Sequence, residues 1–436
     1  MDARPGPTSE ILQRAADLRA DAADPVLRDG APLAFPPLST ATVLRTKAVT
    51  ALTLAANLAR EARSRLGAGR GGAVTSDSST DMHAPELPVG RVLHQALHTI
   101  RPFDAVSNDA LALQALLQAQ GYRSEIFAEH IDASLRDRVR TLDRLGSVDG
   151  EPLVYHVCTQ APRVVEPLVH RSGPLLLRHH NITPPSWFDG ISAGHAAACR
   201  GARAELDRLA RVARAGTGDS GYNADELRAL GMRDVEVVPI LLAEAAGAPA
   251  WTGGGGYAVT VGRVAPNKRI DFALRTVAAY QRAYDLGFGL VIVGSERGME
   301  RYAEACRDLA RELGVRNVQW TGPVDEAEKQ RLMAEADAYL CASDHEGFCV
   351  PLVESFRMGL PVVARATSAV TGTCGDALAV DTDDPSFLAA VLRVVVEDAD
   401  LRARLLEVQA REAERFDPER VGRQVLDWAA RHVTAP

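Results

Sequence analysis

The sequence lacks most of the features that mark secreted, membrane-spanning or zinc-binding proteins. Its six cysteines, at positions 158, 199, 306, 341, 349 and 374, include no CxxC pair and no zinc-like spacing. Scattered cysteines of this kind are typical of core thiols in a reducing compartment. No apolar run reaches the length of a membrane span, and the N-terminus lacks a secretory signal. We therefore expect a cytoplasmic protein.

The chain also has little positive charge relative to its negative charge. It contains 49 Lys and Arg against 57 Asp and Glu, which gives a formal net charge of −8 at pH 7. This balance, with 24% charged residues, is typical of a soluble acidic protein and argues against a nucleic-acid partner. A length of 436 residues favours two cores of ordinary size over one very large core.

The stretch that carries most functional information is an acidic motif after a short apolar run. Residues 338–341 are predicted to form a buried parallel strand, followed by a loop with Glu346 and a short helix that ends at Gly359. Glu354 is expected about two turns into that helix. In an open α/β sheet, such a loop lies at the carboxyl edge of the strands, where ligands bind. The two carboxylates suit two separate groups of hydroxyls; a capped helix with two solvated glutamates is the alternative.

Amides at the start of that helix, from Gly347 onward, suit an anion. A second motif upstream adds two cations, since residues 259–268 predict a strand, a glycine turn and a helix entrance with Arg263 and Lys268 five residues apart. Arginine offers a planar fork of donors and lysine a compact point charge, so together they can neutralise a diphosphate leaving group. A sugar joined to a diphosphate has both the hydroxyls and the anion that the two motifs suit.

Taken in this order, Gly-Arg-x4-Lys at 262–268 and Glu-Gly-Phe-x-x-Pro-x-x-Glu at 346–354 resemble the retaining glycosyltransferases of family 4. The resemblance extends from about Arg91 to the C-terminus. It implies an α/β protein with the GT-B fold, in which two doubly wound Rossmann-like domains have parallel sheets that face each other across a cleft. It also implies a UDP-, GDP- or dTDP-sugar as co-substrate, with no other cofactor and no metal.

The resemblance further implies a role for each motif residue. The donor diphosphate is assigned to Arg263, Lys268, Gly347 and Phe348, the ribose to Glu354, and the sugar hydroxyls and an oxocarbenium-like state to Glu346. In the family, the departing phosphate itself takes the acceptor proton, so no separate base is required. No DxD-like metal site stands at a strand end, and the two cations are expected to do the work of a metal.

Candidate residues in the first half of the chain follow from the same resemblance. His156 ends a predicted strand at 153–156, where the family places a histidine or comparable group near the donor sugar and acceptor; a hydrogen-bonded loop residue is the alternative. His180 and Asn181 belong to a His-Asn-Ile-Thr-Pro sequence found in bacterial members that build surface polysaccharides. Binding of a metal by His179 and His180 lacks an evident third ligand. Asp104 is predicted to cap the helix that begins at about residue 105.

The sequence departs from the family in the loop before that helix. Family members often have glycines there, next to the donor phosphates, but residues 99–103 contain none. Arg101 is the candidate substitute for the lost backbone contacts. At Thr371 and Gly372, relatives commonly have Pro-Glu, and Cys349, often glycine in relatives, is interpreted as a packing residue.

The predicted domain organisation has five parts. They are an N-terminal helical or flexible extension (1–88), a Rossmann-like acceptor domain (89–240), a linker (241–256), a Rossmann-like nucleotide-sugar domain (257–415) and a helix that crosses back to the first domain (416–436). The extension is expected to be an appendage that the catalytic fold does not require. Within it, residues 40–66 are predicted to form a basic amphipathic helix that either packs on the protein or another subunit or contacts the inner face of the membrane.

The predicted function is transfer of a hexose-type sugar to a glycan or lipid-linked acceptor in bacterial surface polysaccharide assembly. The same chemistry on a small soluble acceptor, such as an aminocyclitol, is an alternative. A GT-B phosphorylase would need a pyridoxal-phosphate lysine pocket, which the sequence does not reveal. A degenerate, non-catalytic partner subunit is consistent with the altered loop at 99–103, although all the motif cations and carboxylates are present.

Overall fold

The computed structural model describes residues 6–21, 29–37, 91–102, 104–242 and 249–433. The predicted basic helix at 40–66 lies outside these ranges. Two parallel β-sheets with helices on both faces make up the described chain. Within it, no helix combines the length and apolar character needed to cross a membrane.

The first sheet has seven parallel strands in the order β3-β2-β1-β4-β5-β6-β7. They are β1 (His94–Ile100), β2 (Ile126–Ile131), β3 (Arg140–Thr141), β4 (Leu153–Val157), β5 (Leu175–His179), β6 (Ala215–Gly218) and β7 (Val235–Val237). After the N-terminal helix α1 (Pro7–Asp21), its helices are α2 (Ala105–Ala119), α3 (Pro162–Val169), α4 (Ala193–Ala210) and α5 (Gly221–Ala229). The strand order changes direction between β1 and β4, which creates a crevice there.

The second sheet has six parallel strands in the order β10-β9-β8-β11-β12-β13. They are β8 (Tyr257–Val261), β9 (Gly289–Val293), β10 (Val318–Gly322), β11 (Ala338–Cys341), β12 (Val362–Arg365) and β13 (Ala379–Val380). The helices are α6 (Ile270–Ala283), α7 (Glu300–Glu312), α8 (Glu326–Glu335), α9 (Val350–Met358), α10 (Ser368–Cys374), α11 (Pro385–Glu397), α12 (Ala399–Ala413) and α13 (Pro418–Val433). Here the order changes direction between β8 and β11.

The strands form where short β-branched runs lie buried on both faces. Gly289–Val293 is buried at every position, as expected of a parallel strand covered by helices on both sides. The helix α13 lies on the first sheet domain, because Val421, Val425 and Trp428 share a buried cluster with Leu113 and Leu117 of α2. The C-terminal end of the chain therefore packs on the domain in which the first sheet lies.

Several predicted boundaries move in the structure. Strand β1 continues to Ile100, whereas a loop from His98 was predicted. Glu354 is the fifth residue of α9, about one turn from its start and not two, because Cys349 in a left-handed conformation delays the start of the helix to Val350. Gly359, also left-handed with φ 77°, ends the helix as predicted.

The described part of the N-terminal extension packs against the core. In α1, the side chains of Ile11 and Ala15 are fully buried in the cluster that also contains Leu388 of α11. Further along, the carbonyl of Gly30 accepts a hydrogen bond from Arg269, and Phe35 packs against Tyr302 with a ring separation of 6.3 Å. Residues 7–21 and 29–37 therefore pack on the second domain, and independence of the catalytic fold from the extension stays a prediction.

We expect Ile11→Ala to lower the free energy of unfolding by roughly 2–4 kcal/mol, since it removes apolar volume from a fully buried site. Urea denaturation followed by circular dichroism measures this change. The matched control is Gln13→Ala on the exposed face of the same helix, which should leave stability nearly unchanged. Equal denaturation midpoints for the two variants would contradict the packing role of α1.

Candidate functional site

The two sequence motifs meet at the switch point of the second sheet. β8 and β11 are neighbours in the sheet although β9 and β10 separate them in sequence, so the loops after them share one crevice. Asn267, in the first loop, is hydrogen-bonded to the second, because its carbonyl accepts from the amides of Asp344 and His345 and its side chain donates to the carbonyl of His345 at 3.0 Å. The loops 262–268 and 342–349 therefore form one unit.

Lys268 and Glu346 form an ion pair inside this unit. The lysine Nζ lies 2.6 Å from both carboxylate oxygens of Glu346, and the Ser343 hydroxyl donates to Oε1 at 2.7 Å. Burial acts to lower the pKa of Lys268, but the Glu346 charge more than offsets this and raises it. The ammonium is thus fixed in its charged form at the edge of the cleft, where 24% of the lysine side chain remains exposed.

The backbone after Glu346 offers free donors. In the part of the chain that the structure describes, the amides of Gly347 and Phe348 donate to no group. The Phe348 ring is buried against Ile240 and Phe416, which fixes this stretch of backbone. The groups that Gly347 and Phe348 can offer to the predicted diphosphate are therefore their backbone N–H groups. These lie next to the start of α9, where an anion is favoured.

Glu354 presents an unsatisfied acceptor. One carboxylate oxygen, Oε1, accepts from Lys329 of α8 at 2.9 Å. The other, Oε2, is buried and has no hydrogen-bond partner in the described chain. A buried acceptor without a partner costs free energy, so a bound group with hydroxyls at this position would remove a penalty.

Arg263 faces the first domain across the cleft. Partial removal from water lowers its pKa, and the nearby charge of Arg101 lowers it further. Burial lowers the pKa of His195 in α4, and the positive charge of Arg263 lowers it further. Within the described residues, the Arg263 guanidinium has no ion-pair or hydrogen-bond partner. Arg101, the suggested substitute for the missing loop glycines, is paired with Asp104 at 3.7 Å and adds a cation from the first domain, on the opposite side of the cleft.

The structure places His156 and His180 inside the first domain, with side chains 0% and 1% exposed. His156 is hydrogen-bonded to Gln95 and to His180, and His180 continues the chain to Asp219, with each of the three contacts 2.8 Å long. Burial lowers the pKa of His156 well below its usual range, so this ring is neutral. All four ring nitrogens are thus engaged within the first domain, and contact of these rings with a substrate stays a prediction.

Asn181 connects the two domains. Its backbone has φ 85°, a left-handed conformation that asparagine tolerates better than most residues. Its side chain accepts from the His345 ring at 2.7 Å and donates to Asn223 at 2.8 Å. A Cβ at Gly347 would lie 2.5 Å from the Cβ of Asn181, so glycine is required where the loops cross. The side chain of Asn181 therefore holds the motif loop against the first domain.

Two further first-domain residues grip the same loop. The Ser220 hydroxyl and the Asn223 amide both donate to the carbonyl of Gly347, at 2.7 and 3.1 Å. No signal in a single sequence shows which residues meet across a cleft. Asp104 caps α2 as predicted, because its Oδ2 accepts from the amide and the hydroxyl of Ser107 at 3.0 and 2.8 Å, while its Oδ1 lies 3.7 Å from Arg101.

Comparison with known proteins agrees with this geometry. Residues 255–398 match the family model of glycosyl transferases group 1. A D-inositol 3-phosphate glycosyltransferase of Nocardioides sp. is 36% identical over 38% of this chain and 39% of its own length. A GDP-mannose:cellobiosyl-diphosphopolyprenol alpha-mannosyltransferase of Komagataeibacter xylinus is 34% identical over 34% of this chain and 40% of its own.

Among solved structures, the HepE protein of Anabaena in complex with UDP and glucose superposes with a TM-score of 0.62. The superposition has 16% identity and covers 78% of this chain and 100% of that chain, so it shows the fold alone. The predicted resemblance to glycosyltransferases and the predicted GT-B fold are confirmed. The chain matches about two fifths of the length of the two curated relatives, from Nocardioides sp. and Komagataeibacter xylinus.

Proposed function

We propose that this protein is a retaining glycosyltransferase that moves a hexose-type sugar from a nucleoside-diphosphate sugar to a glycan or lipid-linked acceptor in bacterial surface polysaccharide assembly. The observation that carries the proposal is the arrangement at the second switch point. An ammonium held charged by Glu346 and two free amides lie in the loops at this switch point, and a buried carboxylate oxygen without a partner lies on the helix that follows them. A diphosphate with a sugar on one side and a ribose on the other satisfies all of them.

The mechanism follows from where charge develops. As the anomeric bond breaks, negative charge grows on the diphosphate, and Lys268, Arg263 and the amides of Gly347 and Phe348 stabilise it. Lys268 leaves part of its pairing with Glu346 to meet this charge, which frees Glu346 to accept sugar hydroxyls and to support the positive character of the anomeric carbon. These cations take the place of a metal, and the departing phosphate takes the acceptor proton.

The known relatives support the donor class and leave two acceptor classes. HepE of Anabaena binds UDP and also UDP-glucose, which supports a nucleotide-sugar donor. The mannosyltransferase of Komagataeibacter xylinus acts on a lipid-linked acceptor, which supports the polysaccharide role. The inositol phosphate enzyme supports the second candidate, the same transfer to a small soluble acceptor. We place the protein in the cytoplasm, at the inner face of the membrane when its acceptor is lipid-linked.

Turnover of a panel of UDP-, GDP- and dTDP-sugars by the purified full-length chain tests the proposal. Each donor is offered with a polyprenol-diphosphate glycan and, separately, with inositol phosphate, and the anomeric configuration of the product is read by NMR. Retention with one donor, unaffected by EDTA, is expected. Turnover that EDTA abolishes and a divalent ion restores would contradict the metal-independent mechanism. Absence of turnover and of donor binding would favour the non-catalytic partner subunit.

The two glutamates should respond differently when each is changed. Glu354→Ala removes the acceptor proposed for the ribose. It should therefore weaken the binding of free UDP or GDP in parallel with that of the sugar nucleotide, because the contact with ribose exists already in the ground state. Glu346→Gln should leave the affinity for free nucleotide nearly intact and lower kcat. Calorimetry with the free nucleotide and steady-state kinetics measure both. Equal loss of nucleotide affinity in the two variants would show that the roles are assigned wrongly.

A further inference from the structure

Two cysteines flank Glu346 and are in contact with each other. Cys341 ends β11 and Cys349 precedes α9, and their sulfur atoms lie 3.9 Å apart. Both side chains are buried, and the Tyr339 hydroxyl lies 3.6 Å from the Cys349 sulfur. A disulfide has a sulfur–sulfur distance of about 2.0 Å, so a movement of roughly 2 Å within an eight-residue span joins the pair.

We propose that Cys341 and Cys349 form a reversible disulfide when peroxide reaches the site, and that this disulfide switches the Glu346 loop to an inactive conformation. Formation of the disulfide is inferred from the positions of the two cysteines. Only its effect on sugar transfer rests on the proposed function.

The surroundings make Cys341 the attacking thiol. The Cys349 thiol donates a hydrogen bond that lowers the pKa of Cys341, and this outweighs burial and the Glu346 charge, which both act to raise it. The Cys341 thiolate attacks one peroxide oxygen, which forms a sulfenic acid and releases hydroxide, which is protonated to water. The Cys349 thiol then attacks the sulfenic sulfur, expels a second water and closes the disulfide. One peroxide is reduced, two thiols are oxidised, and their two protons leave in the two waters.

Cys306, a buried thiol elsewhere in the second domain, lacks this arrangement. Cys306 lies in the core of the opposite face, among apolar residues around α6 and α7, and has no sulfur neighbour in the described chain. Cys349, in contrast, has φ 75° at the end of the loop that carries Glu346 and Gly347. A disulfide there pulls on backbone whose position sets Glu346, Lys268 and the free amides. Since misplacement of reacting groups by about 1 Å can cost roughly 10²-fold in rate, we expect a loss of that order in the oxidised protein.

The disulfide is tested by mass spectrometry of the full-length chain after treatment with hydrogen peroxide. No lysine or arginine lies between Arg331 and Arg357, so trypsin leaves both cysteines on one peptide, which should lose about 2 Da and resist alkylation. A second cleavage, before Asp344, breaks the backbone between the two cysteines. The two cysteine-containing pieces should then separate only after dithiothreitol. Alkylation of both cysteines, stepwise addition of oxygen without a link, or a link from Cys341 to Cys374 would overturn the proposal.

The functional effect is tested by sugar transfer before and after peroxide. The native chain should lose roughly 10²-fold in rate and recover with dithiothreitol. Cys349→Gly, which suits the positive φ, should keep the reduced rate and become insensitive to peroxide, whereas Cys306→Ala should remain sensitive. A disulfide that leaves transfer unchanged would overturn the switch. A reduced chain that transfers no sugar would count against the proposed function, while the mass measurement would still decide whether the disulfide forms.

Discussion

Lys268→Ala is expected to lower kcat by roughly 10²–10³-fold, since it removes a fixed cation that meets the charge growing on the leaving diphosphate. The loss should appear mainly in kcat, because the Lys268 ammonium is paired with Glu346 in the ligand-free chain and gains its full contact with phosphate only as the anomeric bond breaks. Steady-state kinetics with a saturating donor measure it, and circular dichroism checks that the variant is folded.

The single substitution also leaves Glu346, which is 7% exposed, without its partner. An unpaired buried carboxylate disturbs a site in its own right, so the double variant Lys268→Ala/Glu346→Gln is the necessary control. Because the double variant lacks both the Lys268 cation and the Glu346 carboxylate, it should turn over at least as slowly as Lys268→Ala. Faster turnover by the double variant would show that the stray carboxylate, and not the missing cation, caused the loss.

The second large effect is expected on stability, at the buried ion pair between Asp109 and Arg178. Asp109 of α2 accepts from Arg178 of β5 at 2.5 and 2.8 Å and from the Leu241 amide at 2.7 Å, with both side chains essentially unexposed. Arg178→Met leaves Asp109 buried without its counter-charge, which should cost roughly 3–5 kcal/mol in the free energy of unfolding.

Urea denaturation measures this cost, with two controls. Arg211→Met removes an exposed pair with Asp207 and should change stability by less than about 0.5 kcal/mol. The double variant Asp109→Leu/Arg178→Met replaces both charges with apolar groups, so it should recover much of the loss. If Arg178→Met is no less stable than Arg211→Met, the buried pair does not have the role described.

The same pair predicts a pH dependence with a definite sign. Burial acts to raise the pKa of Asp109, but Arg178 more than offsets it and lowers the pKa from 3.8 to about 2. A carboxyl whose folded pKa is depressed stabilises the fold above its unfolded pKa, and this stability is lost as the pH falls through the folded value. The native chain should therefore lose stability between pH 3.8 and about 2, and Asp109→Asn should flatten that part of the curve.

Most of the fold was predictable because the pattern that specifies it is local. A short apolar run indicated β11 at residues 338–341, the bounds that the structure has, since a parallel strand buried on both faces needs an uninterrupted apolar segment. The start of α9 was misplaced, because the left-handed backbone at Cys349 leaves no trace in the pattern of apolar residues. The burial of Ile11 was missed for a related reason, since the partner of α1 is a helix more than 370 residues away.

The candidate site was also predictable only where it depends on local sequence. By itself, the sequence determined the chemistry available, with two cations and one carboxylate in loops after strands and a second carboxylate in the next helix, because a loop after a parallel strand always reaches the same edge of its sheet. Only the tertiary structure decided which groups meet. It paired Lys268 with Glu346, left one oxygen of Glu354 without a partner, turned His156 and His180 inward, and gave Asn181 the contact between the domains. Such contacts depend on packing between distant segments, which the periodicity of a single chain does not encode.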